Sequence, residues 1–404
     1  MTKDFLSVMH LFSCGAHGTE PDSKREYNIN ETLRLSSEQG LYPFVFLSLE
    51  KLYNNKNLNI TPDDFNYLKS QYMQVLFSSM RKNAAVNEAI CQLNKKGIQT
   101  YMLKGQVLSK LYSVPEARVS GDTDLLLSSP TDEEKACSAL KEIGFEIKER
   151  PQTSHHAMCK RQDAGLIELH LSLYDEIFED IWFKNKGEKH EEYISFTTKE
   201  GYTYNTLNHT DNAIFITLHA FKHFFSEGVG IRQIMDLLLF NKAYKDKIDW
   251  EKYFNTLENL RFKKLYNHFE AIGNIYLGFN GENVSGVSME TVCEILTDIE
   301  TGGVFGKKDK TRKEFYKEAT HKRSDKTDDE YNEYIERWKG KISFINRFFP
   351  PFEQMKKQYS ILKSKSWLLP FLWVVRLFDI LKYKLTPKKI NDERLNLLNK
   401  LDII

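Results

Sequence analysis

Two aspartates one residue apart carry the clearest chemical signal in this chain of 404 residues. Asp122 and Asp124 begin an apolar stretch that runs to Leu127 and is typical of a buried strand. Because successive side chains of a strand point to opposite faces, both carboxylates project to the same side. Like charges held that close repel each other unless a cation lies between them. The pattern therefore predicts a site for Mg²⁺ or Mn²⁺ carrying a polyphosphate.

A third acid, in a later segment, is the candidate for activating an acceptor hydroxyl. Glu168 lies in the apolar run 166–171, where strand alternation places it on the same face as His170. An acid on an otherwise apolar strand costs free energy unless it meets a cation. We therefore predict that Glu168 completes the metal site and that His170 contacts the metal shell or the substrate. The alternative is an ordinary ion pair between Glu168 and Arg161.

Three residues that precede the aspartates suit a phosphate. Lys104 and Gly105 lie at a predicted strand-to-helix junction, where backbone N–H groups favour phosphate and glycine permits its close approach. Arg118 can bind a phosphate oxygen. Each could instead be an ordinary surface or turn residue. The order strand, Lys-Gly, helix, Arg, Asp-x-Asp and then an acid in a later strand favours a nucleotide site, in which we predict that Lys104, Gly105, Arg118 and His170 bind the nucleotide.

The elements that position these residues follow from apolar periodicity. Thr61 predicts the start of a helix that Gly97 stops. Its apolar stripe consists of Phe65, Leu68, Tyr72, Val75, Leu76 and Met80. We predict strands at 98–103, 123–127, 145–148, 155–159 and 166–171, helices at 106–112 and 132–143, and a hairpin over 193–207. Helices resume at Asp211, which we predict to cap the first of them, and the next buries Ile231, Ile234, Met235, Leu238 and Leu239.

These elements predict an α+β fold, with a small mixed-sheet core flanked by mainly helical N- and C-terminal regions. The regions are an N-terminal helical region (1–96), the core (97–207), a helical domain (208–306), a charged connector (307–343) and a C-terminal helical tail (344–404). Within the tail, we predict that Trp367–Leu381 forms a packed helix. Because lysines flank it, the alternative is contact of this tail with an anionic membrane surface.

Other patterns have structural and functional interpretations. His219 and His223 have the spacing of zinc ligands but lack a metalloprotease glutamate, so we expect them to pack where the helical and catalytic units meet. Arg232 and Asp236 have the spacing of a helical ion pair, which we interpret as structural. The basic cluster in 307–323 is typical either of RNA binding or, because acids are interleaved, of an ordinary solvated surface, which we favour.

Composition excludes several broad classes of protein. The chain has 57 Lys and Arg against 56 Asp and Glu, and a net charge of +1 excludes a globally basic nucleic-acid binder. Five cysteines without a Cys-x-x-Cys pair indicate neither a disulfide framework nor a zinc knuckle. We see no secretory signal and no apolar run of the roughly 20 residues that a membrane span needs, so we expect a cytoplasmic protein.

The ordered set of motifs resembles the uncharacterised nucleotidyltransferase family of the DNA polymerase β-like superfamily. The likeness covers about residues 30–305. It is carried by Asn94–Ile98, Leu103–Leu108 with Tyr112, Arg118 with Gly121–Leu126, Ile167–His170, Leu218–His223, Gly230–Asp236 and Gly302–Gly306. The wider superfamily has Gly-Ser where this chain has Lys104-Gly105, and usually an apolar residue where this chain has Thr123.

The resemblance implies a polymerase β-like core that uses Mg²⁺ and transfers a nucleoside monophosphate from a nucleoside triphosphate, with release of pyrophosphate. Asp122, Asp124 and Glu168 would be the catalytic metal ligands. We expect the acceptor to be a small molecule or a protein, and the sequence leaves its identity and the base of the triphosphate open. The alternatives are a catalytically inactive nucleotide-binding or scaffold protein and an RNA-directed, toxin-like nucleotidyltransferase.

Overall fold

The chain folds into helices that flank one mixed sheet. The computed structural model describes residues 1–148, 156–174, 193–198, 201–226, 228–281 and 284–302, with 352, 355, 359–363, 366–375 and 392–403. The helices are α1 (Lys3–His17), α2 (Ile29–Glu38), α3 (Tyr42–Asn54), α4 (Pro62–Lys95), α5 (Gln106–Ser109), α6 (Glu133–Glu142), α7 (His209–Ser226), α8 (Ile231–Ala243), α9 (Trp250–Asn259), α10 (Lys263–Tyr276), α11 (Met289–Gly302) and α12 (Asp392–Lys400). The strands are β1 (Thr100–Met102), β2 (Asp122–Leu127), β3 (Glu146–Lys148), β4 (His156–Arg161), β5 (Gly165–His170), β6 (Tyr193–Thr197) and β7 (Thr203–Leu207).

The described strands form a sheet in the order β3-β4-β5-β2-β1-β7-β6. β2 is parallel to β5 and β1 is parallel to β7, whereas the other neighbours are antiparallel. The predicted α+β class, with a mixed sheet between helical flanks, is confirmed. The polymerase β-like label stays a prediction. The predicted helix 106–112 is shorter than expected, since α5 ends at Ser109.

The long helix α4 begins and ends at the predicted signals. The Thr61 hydroxyl accepts a hydrogen bond from the backbone N–H of Asp64, and Gly97 adopts a φ of +72° just beyond the helix. The first three residues of the apolar stripe, Phe65, Leu68 and Tyr72, are buried and pack in one cluster with Phe46 of α3. Met80 is exposed, so its place in the stripe was wrong. Burial resumes at Ala85, because α4 spans two packing regions and its middle lies between them.

The start of α7 differs from the prediction by one helical turn. The side chain of Asn208, and not that of Asp211, caps this helix, because Asn208 Oδ1 accepts from the backbone N–H of Asp211 at 2.9 Å. Asp211 lies in the first turn and pairs with Lys252. The next helix, α8, buries the whole predicted apolar stripe.

The C-terminal tail corrects one prediction. Of the predicted packed helix Trp367–Leu381, the described residues reach Val375, and Trp367, Phe371, Val374 and Val375 are all exposed. The packed interpretation is therefore wrong for this part, and apolar composition alone did not determine burial. The end of the chain does pack, since Leu397, Leu398 and Leu401 of the α12 region are buried. The charged connector 307–343 lies outside the described residues.

One apolar core cluster extends through the described residues from Phe5 in α1 to Ile403 beyond α12, and a second, smaller cluster surrounds Phe46. Asp132 and Gly144 mark changes between elements where the sequence predicts them, but the domain boundaries themselves stay predictions. Within the described parts of the chain, no helix has the length and apolar character needed to cross a bilayer.

We expect Gly15→Ala to destabilise the fold strongly. A Cβ at position 15 would lie 2.0 Å from the carbonyl oxygen of Phe44, at the crossing of α1 and α3, so backbone must move. A loss of about 3 kcal/mol in the free energy of unfolding is expected, measured by chemical denaturation. Gly121→Ala is the control, since no atom lies within 4 Å of its Cβ. Equal stabilities of the two variants would contradict this packing.

Candidate active site

Three neighbouring strands place acidic and imidazole side chains on one face of the sheet. In the parallel pair β2 and β5, Asp124 lies opposite Glu168. In the antiparallel pair β4 and β5, His156 lies opposite His170. Carboxylate oxygens of Asp122, Asp124 and Glu168 lie within 4.8 Å of one another. The structure therefore brings together the three acids that sequence reasoning selected, although they come from segments more than 40 residues apart.

Asp124 is the most strongly stabilised anion of this group. Its buried carboxylate lies 3.0 Å from Lys104 Nζ through Oδ2 and 3.0 Å from His170 Nε2 through Oδ1. Burial alone would raise the pKa of Asp124, but Lys104 and the hydrogen bond with His170 lower it well below its usual range. Asp124 therefore stays ionised at every physiological pH.

Glu168 has the opposite electrostatic character. Burial, followed by repulsion from Asp124 and Asp122, raises the pKa of Glu168 to about 7. Its side chain is 18% exposed, so solvent or a ligand can reach it. The two neighbouring carboxylates thus differ in affinity for protons, which is how active sites separate an ionised ligand from a proton acceptor that works near neutral pH.

Lys104 lies between Asp124 and a pair of histidines from α7. Its Nζ is 2.7 Å from His219 Nε2, and His219 Nε2 is 2.9 Å from His223 Nε2. Burial and the nearby Lys104 charge lower the pKa of His219 well below its usual value and that of His223 to about 3. Both rings are therefore neutral. The expectation that these histidines lie where the helical and catalytic units meet agrees with this contact, and phosphate binding by Lys104 stays a prediction.

Arg118 is held by an ion pair with Asp236, the carboxylate that the sequence analysis paired with Arg232. Nε and Nη2 of Arg118 donate to the two carboxylate oxygens of Asp236 at 2.7 Å each, and Tyr112 donates to the same carboxylate. Arg232 donates to the carbonyl oxygen of Val119 instead. The predicted Arg232–Asp236 ion pair was therefore wrong, since the carboxylate on α8 points to an arginine that precedes β2.

Gly105 adopts a φ of +65°, a conformation that favours glycine, at the junction where α5 begins. With four residues, α5 is too short to supply the helix dipole that the sequence argument used for phosphate.

A cleft beside the carboxylates is lined by Lys104, Gly105, Arg118, Asp122, Asp124, His219, His223 and Arg232. The lining therefore combines three basic side chains and two imidazoles with three aspartates, the third of which is Asp236.

Lys82 is a site residue that sequence reasoning missed. Its Nζ donates to the carbonyl oxygens of Ser120 at 3.0 Å and Asp122 at 2.9 Å, which fixes the backbone that leads into β2. Burial lowers the pKa of Lys82 to about 8. No local pattern in the middle of α4 marks this lysine, because its partners are 38 and 40 residues away.

His156 is a histidine that the sequence prediction left out of the site, although the sequence carried a signal for it. Strand alternation on β4 could have placed it on the face of Glu168 and His170, had the register of β4 and β5 been known. The alternative partner of Glu168 is not observed: Arg161 pairs with Glu88 and Asp163.

The donor chemistry of the three acids fits a hard divalent cation. Their oxygens converge from one face, and such oxygens are the ligands that Mg²⁺ and Mn²⁺ prefer. The Lys104 ammonium already compensates part of the charge on Asp124. An ion would therefore share Asp124 with Lys104 or displace it.

Comparison with protein families identifies a match over most of this region. The family model described as Uncharacterised nucleotidyltransferase matches residues 25–271, which is more than half of the chain. The matched residues include the three acids and the supporting side chains from α4, α7 and α8. No curated protein and no solved structure matches the chain.

Stabilisation by Mg²⁺ is expected to be larger at about pH 8 than at about pH 6, because protons compete with the ion for Glu168. Without the ion, the raised pKa of Glu168 makes the protein less stable at higher pH. The contribution of Glu168 to the free energy of unfolding is complete below its unfolded pKa and is lost as pH rises through about 7. The rise in Tm on adding Mg²⁺, measured at both pH values, checks this. Glu168→Gln should remove the pH dependence, and equal shifts in the unsubstituted protein would contradict it.

Asp236→Ala is expected to lower the free energy of unfolding by about 3 kcal/mol or more, because it leaves the buried Arg118 guanidinium without its counter-ion. Glu88→Ala is the matched control. It removes an exposed partner of Arg161 and should cost less than about 1 kcal/mol. Chemical denaturation measures both, and a small effect of Asp236→Ala would show that Arg118 does not depend on this pair.

Proposed function

This chain belongs to the uncharacterised nucleotidyltransferase family, and from that premise we propose that it is a metal-dependent enzyme that transfers a nucleoside monophosphate from a nucleoside triphosphate to an acceptor. The observation that carries the proposal is the convergence of Asp122, Asp124 and Glu168 on one face of adjacent parallel strands. Three acids in that geometry cost electrostatic free energy that a bound cation offsets.

Asp122, Asp124 and Glu168 would hold Mg²⁺ or Mn²⁺. When bound, the ion neutralises charge on the triphosphate and on the displaced pyrophosphate. Asp124 suits the role of permanent ligand because its lowered pKa keeps it ionised. Lys104, 3.0 Å from Asp124, lies where its ammonium can turn toward a phosphate oxygen once an ion takes over the charge on Asp124.

The reaction is an in-line displacement at the α-phosphorus. The acceptor oxygen bonds to that phosphorus while the bond to the bridging oxygen of the β-phosphate breaks, and pyrophosphate leaves. Glu168, which the bound ion would keep ionised, would accept the proton of the acceptor hydroxyl. Arg118, held in the cleft wall by Asp236, would orient phosphate, and Gly105 leaves the backbone accessible there.

A cavity of about 200 Å³, lined by polar side chains together with Val75, Pro115 and Val119, supports a small molecule or a protein side chain as the acceptor. It shares Gly105, Arg118 and Ser120 with the cleft that Asp122 and Asp124 line. Beyond them, hydroxyl, amide and ammonium groups line it, from Ser78, Ser79, Lys82, Asn83, Gln106, Ser109 and Thr123. This lining suits a hydroxyl-bearing ligand that donates and accepts hydrogen bonds. The basic cluster that suggested RNA lies outside the described residues.

One observation favours a second candidate function. Because Lys104 pairs with Asp124 and His170 forms a hydrogen bond with it, the site is electrostatically satisfied in part without any ion. A nucleotide-binding or scaffold protein that performs no transfer would have this arrangement. Calorimetry would then show triphosphate binding with no release of pyrophosphate.

Incubation with each α-labelled triphosphate, Mg²⁺ or Mn²⁺ and a lysate of the host cell tests transfer directly. We expect one acceptor to become labelled and pyrophosphate to be released. Asp122→Asn and Asp124→Asn should lower the rate at least ~100-fold while leaving the fold intact. Asp163→Asn, an exposed aspartate whose partner is Arg161, is the matched control and should retain full activity. Unchanged turnover in either site variant would contradict the proposal.

A further inference from the structure

A cluster of two imidazoles and one carboxylate lies beside the three acids. His156 on β4 is directly opposite His170 on β5, and Glu168 precedes His170 by two residues on the same face. Glu168 Oε2 lies 3.8 Å from His156 Nε2 and 3.7 Å from His170 Nε2. The three ligand atoms all lie within 4.8 Å of one another.

These distances are close to those of a loaded metal site. Two ligand atoms that each lie about 2.1 Å from one tetrahedral ion are about 3.4 Å apart. The two separations from Glu168 Oε2, 3.7 and 3.8 Å, therefore need to close by only a few tenths of an ångström. The two imidazole nitrogens lie within 4.8 Å of each other and need to approach by at most about 1.4 Å. Side-chain rotation can supply this, since the strands already hold the three residues in register.

The ligand types select a different ion from that of the neighbouring site. Imidazole nitrogen suits borderline transition-metal ions such as Zn²⁺, Co²⁺ and Ni²⁺, whereas Mg²⁺, Ca²⁺ and Mn²⁺ prefer oxygen ligands. Two histidines with one glutamate are a known ligand set of zinc enzymes. His156 and Glu168 are about one fifth exposed, so an ion can enter from solvent.

We propose that His156, Glu168 and His170 bind a divalent transition-metal ion at a site that shares Glu168 with the carboxylate site. Loading exchanges the hydrogen bond between His170 Nε2 and Asp124 Oδ1 for a bond to the ion. That change frees Asp124 to turn toward a second cation. The inference concerns metal binding and does not depend on nucleotidyl transfer.

His219 and His223 are the other close pair of histidines among the described side chains. They lack a third ligand there: within the described ranges, the groups of three metal-ligating side chains are the two that contain Glu168. Their contact with Lys104 also places a cation beside them, which opposes metal binding. The His156 cluster is therefore the better supported site.

Calorimetry on the full chain, free of any histidine tag and with excess Mg²⁺ and no nucleotide, tests the site with Zn²⁺ as the probe. One Zn²⁺ per chain is expected to bind. His156→Ala and the milder His156→Gln should each weaken Zn²⁺ binding at least ~10-fold. His209→Ala, on α7 and in contact with Tyr244, is the matched control and should bind Zn²⁺ like the unsubstituted protein.

Asp122→Asn separates this site from the proposed catalytic one. It removes a ligand of the carboxylate site alone, so Mg²⁺ binding should weaken while Zn²⁺ binding persists. Co²⁺ absorption identifies the ligands, and nitrogen and oxygen coordination is expected. The inference is overturned if the unsubstituted chain binds no Zn²⁺, if both His156 variants bind it normally, or if a thiolate-to-cobalt band places the ion on a cysteine.

Discussion

Electrostatic repulsion among Asp122, Asp124 and Glu168 is the constraint on which this site depends. Parallel pairing of β2 with β5 places Asp124 opposite Glu168, and strand alternation adds Asp122 on the same face. The sheet therefore fixes three acids closer than their charges favour. The fold responds with Lys104 and His170 beside Asp124 and with a raised pKa at Glu168. A divalent cation would neutralise what these partners leave uncompensated.

Helices α7 and α8 position the basic residues beside the three acids. Neutral His219 and His223 on α7 position Lys104 without adding charge, and Asp236 on α8 fixes Arg118 in the cleft wall. Both helices are anchored by continuous apolar packing. The sheet therefore contributes the acids, and the helices contribute the groups that orient the basic residues.

The sequence analysis predicted the features that depend on neighbouring residues. The alternation of Asp122 and Asp124, the cap at Thr61 and the strand that carries Glu168 all follow from neighbouring residues. It did not predict contacts between residues that are far apart in the chain. Lys104 meets His219 across 115 positions and Arg118 meets Asp236 across 118, and no local pattern encodes such pairs. The prediction of a packed helix in the tail was wrong for a related reason. Apolar composition does not show which other segment, if any, covers a helix.

The most direct test of the central claim is the position of Mn²⁺, located by anomalous diffraction from crystals grown with a non-hydrolysable triphosphate analogue. The account predicts an ion bonded to carboxylate oxygens of Asp122 and Asp124 and to the phosphates of the analogue, with Lys104 turned away from Asp124. An intact Lys104–Asp124 pair, with the triphosphate bound elsewhere and no ion at the three acids, would contradict it.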